Sequence, residues 1–175
     1  MSIGEFILLT DYTSYDEIRA VLGVSNKDIK DETLALALYE RLLLIDLDSL
    51  DSTAGSGIRS LYATVSGTPQ GSRTADQQRY FELAQVYSAY SVSNTLLTSL
   101  PYFAVKRVTD GRAEAERIAD PFADVKESVP LMLSTLRRRL LTAYTVIGGV
   151  VSSGATGHTR VYFTATGLNK DPVTT

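Results

Sequence analysis

Two stretches of this chain are apolar over more of their circumference than a single core-facing stripe requires. Between about Thr74 and Leu100, Tyr80, Leu83, Tyr87, Tyr90, Asn94 and Leu97 recur at spacings of three and four and draw one seam down a helix. Ala84, Ser88, Ser91, Thr95 and Thr98 draw a second seam of small residues, about 100° further round. Phe81, Val86, Val92 and Leu96 fill much of what remains. A helix apolar on one stripe covers a core, whereas one apolar nearly all round is enclosed, by its own domain or by another subunit. The segment that starts between Ser25 and Asp31 and ends near Leu50 repeats the theme. Leu34, Leu38, Leu42 and Ile45 form one stripe, and Tyr39, Leu43, Leu47 and Leu50 another. It predicts a second helix with surplus apolar surface.

Local signals mark the other elements. Met1 to Thr10 reads as an extended lead. Thr13 and Ser14 are each followed three residues later by an acid, and Glu17 makes Ser14 the better cap. The first helix then runs through Ile18, Val21 and Leu22 and stops at Gly23, which tolerates positive φ. Asp51 to Gly57 is a Ser/Gly loop, and Ile58 to Val65 fits a short helix or a strand. Gly67 to Arg73 is a turn-rich linker, and the long helix should end before Pro101. Tyr102 to Ile118 is irregular, with a turn at Asp110-Gly111.

Asp120 as cap with Pro121 at the first helical position starts the last long helix. Its core face is Phe122, Val125, Val129, Met132/Leu133, Leu136, Leu140, Tyr144 and Ile147, and Gly148-Gly149 ends it. Pro130 should kink this helix, unless Ser128 caps a fresh start there. From Val150 the composition turns to Gly, Ser, Thr and Val, and Thr159 to Thr164 has strong strand preference. The expected architecture is all-α: a small bundle of long helices over 1–149, followed by an extended C-terminal arm over 150–175.

Composition narrows the chemistry. At 175 residues the chain is one domain with room for a real core. The net charge of −3 supplies no bulk basic field for nucleic acid or anionic lipid. No apolar run reaches the roughly 18 residues of a membrane span. Ile3 to Leu9 is interrupted by Glu5 and has no basic lead, which argues against a signal peptide. The absence of cysteine excludes disulfides, thiolate catalysis and sulfur-ligated zinc.

Candidate chemical motifs are thin. His158, the single histidine, has no second histidine or cysteine with which to build a metal site or a charge-relay triad. Gly67-Thr-Pro-Gln-Gly71 has one residue too few and no lysine for a phosphate loop. Asp46, Asp48 and Asp51 lack the glycine and glutamate of a calcium loop and read as a solvated helix end. Leu22-Gly-Val-Ser25 suggests a helix-turn-helix, but its second helix would bring Asp28, Asp31 and Glu32 against DNA phosphates, opposed only by Lys27 and Lys30. Arg137, Arg138 and Arg139 form the one dense basic run, a possible basic contact, yet they fan across roughly 200° of a helix. No catalytic, metal or cofactor site is expected.

Asp11-Tyr-Thr-Ser-Tyr-Asp-Glu-Ile-Arg-Ala-Val-Leu-Gly-Val-Ser25, followed by Asp31-Glu-Thr-Leu34, resembles the N-terminal helices of tailed-phage head-to-tail connector (adaptor) proteins. Val108-Thr-Asp-Gly-Arg-Ala113, leading into Asp120-Pro-Phe-Ala-Asp-Val125, is similar to their middle segment, so the resemblance spans about Asp11 to Tyr144. It implies a non-enzymatic structural protein of the virion neck, made in the cytoplasm of an infected bacterium. It implies a homo-oligomeric ring, usually dodecameric, between the portal protein and a tail tube or tail nozzle protein. DNA would pass through the ring without sequence-specific binding, and no membrane is involved. The Gly/Thr tail after Gly149 is a departure from that pattern.

On this basis Arg160, Tyr162 and Phe163 of the arm are expected to contact the portal. Ser88, Ser91 and Thr95 are expected at subunit contacts, where small side chains let helices approach closely. The alternatives are a DNA-binding packaging subunit with a helix-turn-helix, similar to a small terminase, or another neck or tail-completion protein.

Overall fold

The computed structural model describes residues 9–50, 57–99 and 122–148. Among them are seven α-helices and one 3-10 turn, with no strand. The helices are α1 (Leu9–Tyr12), α2 (Tyr15–Leu22), α3 (Asp31–Leu34), α4 (Ala37–Asp48), α5 (Gly57–Ser66), α6 (Ala75–Leu96) and α7 (Ala123–Val146). The 3-10 turn, Gln70–Ser72, lies in the linker before α6. The all-α expectation therefore holds for these residues. The arm from Val150, with its strand preference, lies outside them, as do the Asp110-Gly111 turn and Asp120-Pro121.

Local chemistry accounts for the helix ends. Ser14 caps α2: its hydroxyl accepts the Glu17 amide at 3.2 Å, and the Glu17 carboxylate accepts the Ser14 amide at 2.9 Å. Gly23 closes α2 at φ 68°, where any other L-residue is strained. Thr74 and Gln77 form the same reciprocal pair at the start of α6. The lead is shorter than expected, because Leu9–Tyr12 already forms a helical turn. Ile58 to Val65 is helical, within α5.

The expected helix from Ser25/Asp31 to Leu50 is corrected to two helices, separated at Ala35 and Leu36, the latter in extended geometry at ψ 127°. The reason is burial. Leu34 and Leu43 are nine positions apart, which puts them about 180° apart on one continuous helix. Both are fully buried, as are Leu47 and Leu50. Breaking the helix lets α3 and α4 each turn a leucine inward.

α6 is the hub, and α1, α2, α4, α5 and α7 all pack on it. Its buried residues include Tyr80, Ala84, Tyr87, Ser88, Val92 and Leu96, which lie on several faces. The enclosure predicted for this helix is supplied largely by the chain itself. α7 runs through Pro130 as one helix, and Ser128 caps nothing; its hydroxyl reaches back to the Val125 carbonyl. Phe122 occupies the cap position of α7 without a side-chain cap bond. Among the described residues, no helix is long and apolar enough to cross a membrane.

Candidate functional site

Two kinds of feature stand out: polar knots that hold the bundle together, and apolar surface that the bundle leaves open. The first knot is Arg19, which is 4% exposed. Its Nε donates to the Ile29 carbonyl at 2.9 Å, one guanidinium nitrogen donates to Asp16 at 2.9 Å, and the other pairs with Asp31. This fork welds α2 to the Gly23–Lys30 turn and to α3.

The second knot is Asp46, 7% exposed, whose Oδ2 accepts the Tyr87 hydroxyl at 2.8 Å and the Ser91 hydroxyl at 2.6 Å. The solvated role expected of the acids near the end of α4 is thus wrong for Asp46. Asp48 instead pairs with Arg59 of α5 at 2.8 Å, and Asp51 lies outside the described residues. Among the described residues there is no group of three or more histidine, cysteine, aspartate or glutamate side chains able to hold a metal ion.

An aromatic stack joins the elements around the linker. Tyr12 and Tyr62 rings lie 4.5 Å apart, and Tyr62 and Phe81 rings 5.1 Å apart. The Arg73 guanidinium sits 4.3 Å above the Phe81 ring. The Tyr62 hydroxyl donates to the Asp11 carbonyl at 2.7 Å. Arg73 also donates to the carbonyls of Thr68 and Ser66, which folds the linker back on α6.

The residues expected at subunit contacts divide. Ser88 is fully buried and donates to the Ala84 carbonyl; Ser91 is the buried donor to Asp46. Both pack within the chain, so the small side chains serve close approach between its own helices. That placement corrects them as surface contacts; Thr95 alone of the three is exposed. Sequence periodicity does not distinguish a seam facing a neighbouring helix from one facing another subunit.

The basic run fans as expected. Arg138 and Arg139 are exposed and Arg137 half-buried, and they do not form one patch. Arg139 stands at the edge of a groove of about 610 Å³ between α6 and α7, lined by Arg79, Glu82, Leu83, Val86 and Leu136. Arg79 and Arg139 form no ion pair among the described residues. Glu82 accepts the Gln78 amide at 2.8 Å. The lining thus combines three apolar side chains with two arginines and one acid. Arg160, Tyr162, Phe163 and His158 lie outside the described residues.

Away from the groove, Leu38, Leu42 and Ile45 form an uncovered stripe on α4, at 57%, 36% and 60% exposure. This is most of the first stripe anticipated for that segment; Leu34 alone turned inward. The second helix of the helix-turn-helix is not formed as a reading helix, since α3 is a single turn of 4 residues with Asp31 tied to Arg19. Comparison with protein-family models, with curated proteins and with solved structures finds no match.

Proposed function

We infer that this chain is a structural subunit that works by being assembled, and that it serves as a head-to-tail connector in a tailed-phage virion. The observation that carries the assembly role is the stripe of Leu38, Leu42 and Ile45. The same chain buries Leu43 and Leu47 on the opposite side of α4, yet leaves three large apolar side chains exposed at helical spacing. Contiguous apolar surface of this kind marks an interaction site. The resemblance over Asp11 to Tyr144 supplies the virion context. In that role the portal protein binds the arm through Arg160, Tyr162 and Phe163, a tail tube or nozzle protein meets the other face, and copies form a ring. DNA passes through without being read.

The test is co-expression of the chain with the portal protein of the same genome, followed by native mass measurement and electron microscopy. The expected product is a ring of this chain stacked on the portal, lost when Val150 to Thr175 are deleted. Assembled portal rings that never retain the chain would overturn the connector role.

A further inference from the structure

We propose that α3 and α4 are a conformational latch with two forms: the bent one described above, and a single straight helix over 31–48 in which Leu34 leaves the core and joins Leu38, Leu42 and Ile45. The proposal concerns the chain by itself and does not depend on the connector role. It begins with a conflict between local sequence and fold. Ala35, Leu36, Ala37 and Leu38 are strong helix formers, and neither glycine nor proline occurs between Asp31 and Asp48. Yet the helix stops and restarts there. Leu36 holds the cap position of α4 without a side-chain cap bond, and leucine is a poor residue for that position. Disagreement of this kind between local preference and fold concentrates at functional or strained segments.

The two forms are close to one bond rotation apart. Ala35 already lies in the right-handed region, at φ −74° and ψ −2°. Leu36 has a helical φ of −63°, and its ψ of 127° is the departure. Turning that bond to about −42°, with a slight adjustment at Ala35, makes the helix continuous. The amides of Ala37 and Leu38, first-turn donors of α4, then reach the carbonyls of Thr33 and Leu34. On the straight helix Leu34 falls within about 80° of Leu38, Leu42 and Ile45, and about 180° from the buried Leu43. The bent form therefore offers three apolar side chains on this face, and the straight form four.

What holds the bend is local. α4 packs on α6, α5 and α1, whereas α3 makes no comparable contact with another helix among the described residues, so α3 is the part that swings. Residues 24–30, which carry no helix, supply the slack. The ties are the fully buried Leu34, the pairing of Asp31 with Arg19, and the Ile29 carbonyl that accepts the Arg19 Nε at 2.9 Å. The Asp31 side chain is 57% exposed, which makes its ion pair a weak tie. Burial of Leu34 is the catch.

Backbone NMR of the full chain reads both forms. Leu34→Gln removes the catch and keeps a good helix former. In that variant the Leu36 Cα chemical shift should move from the extended to the helical side. Amide exchange at Ala37 and Leu38 should slow by roughly tenfold or more. Ala37→Pro is the control. It fits the bent form, where Ala37 is exposed, opens α4 and follows an extended Leu36. It does not fit the middle of a straight helix. The double variant should therefore keep Leu36 extended. A Leu36 that stays extended in Leu34→Gln, or turns to random coil with faster exchange, overturns the proposal. So does a helical Leu36 in the double variant.

A second arm removes dependence on the folding of Leu34→Gln. In the wild-type chain, relaxation dispersion at residues 34–38 should report microsecond-to-millisecond exchange with the straight form, and Ala37→Pro should abolish it. Exchange that persists in Ala37→Pro, or that is absent from both proteins, overturns the latch. Both readouts use the isolated chain, so their outcome is separate from that of the portal-binding experiment.

Discussion

The carboxylate of Asp46 accepts the hydroxyl of Ser91 at 2.6 Å, across 45 positions of sequence, inside the bundle. Tyr87 donates to the same oxygen. Asp46→Ala removes the acceptor for two buried hydroxyls and should destabilise the fold by about 2–4 kcal/mol. Asp46→Asn, which keeps a carbonyl oxygen, should lose about half as much. Urea unfolding with an unchanged m-value checks both. Equal midpoints for wild type and Asp46→Ala would show that the contact contributes nothing.

Arg19 should tolerate no replacement, lysine included. An ammonium group cannot reach the Ile29 carbonyl, Asp16 and Asp31 together in a planar fork. The two carboxylates are largely exposed, so most of the loss comes from the buried carbonyl and the packed stem. Arg19→Met should lower stability by about 2 kcal/mol, and Arg19→Lys by more than half of that, read from thermal melting.

Stability should fall at both ends of the pH range for separable reasons. Burial pushes the Glu17 carboxyl upward and is the largest single influence, but the hydrogen bonds from Ser14 and Thr13 outweigh it. The net pKa lies below the ordinary 4.5. A depressed carboxyl stabilises the fold above its unfolded value and loses that contribution as pH falls through the folded one. Glu17→Gln should therefore flatten the acid limb of the stability profile.

At the alkaline end, burial raises the Tyr62 and Tyr12 hydroxyls above the ordinary 10.0, with Tyr12 adding to the rise at Tyr62. Their contribution is complete below that value and is lost as pH climbs past it, because the unfolded chain ionises first. Tyrosinate absorbance should lag behind a free tyrosine curve and then rise together with unfolding. A simple titration with no lag would contradict the burial of this pair.

The two stripes of α4 should answer mutation in opposite ways. Leu43→Ala and Leu47→Ala empty fully buried sites and should destabilise by about 2–5 kcal/mol. Leu38→Lys and Ile45→Lys face water and should stay within about 0.5 kcal/mol of wild type. Chemical denaturation of the four variants separates the sets. A large loss at Leu38 or Ile45 would mean that the exposed stripe supports the fold itself.

Short-range signals were readable in advance. Ser14 with Glu17, Gly23 after Leu22, and Thr74 at the head of α6 each act within one helical turn, so spacing alone discloses them. The surplus apolar surface near Leu42 was visible too, but not which stripe stays outside. That choice depends on Leu34, whose burial forces the break at Leu36, and neither glycine nor proline marks that break. The burial of Asp46 is not legible in local pattern, because its partners sit 41 and 45 positions away. The groove unites Arg79 with Arg139 for the same kind of reason, since helix packing rather than local pattern brings them together.

The central position of α6 has a consequence for how the polypeptide matures. Ser93 donates to the Ile18 carbonyl across 75 positions, and α1, α2, α4 and α5 all lean on this one later helix. During synthesis these four helices therefore emerge before the surface they need. Their greasy sides stay uncovered until Leu96 has cleared the ribosome, and the amino-terminal half then settles around its template in a late, concerted step.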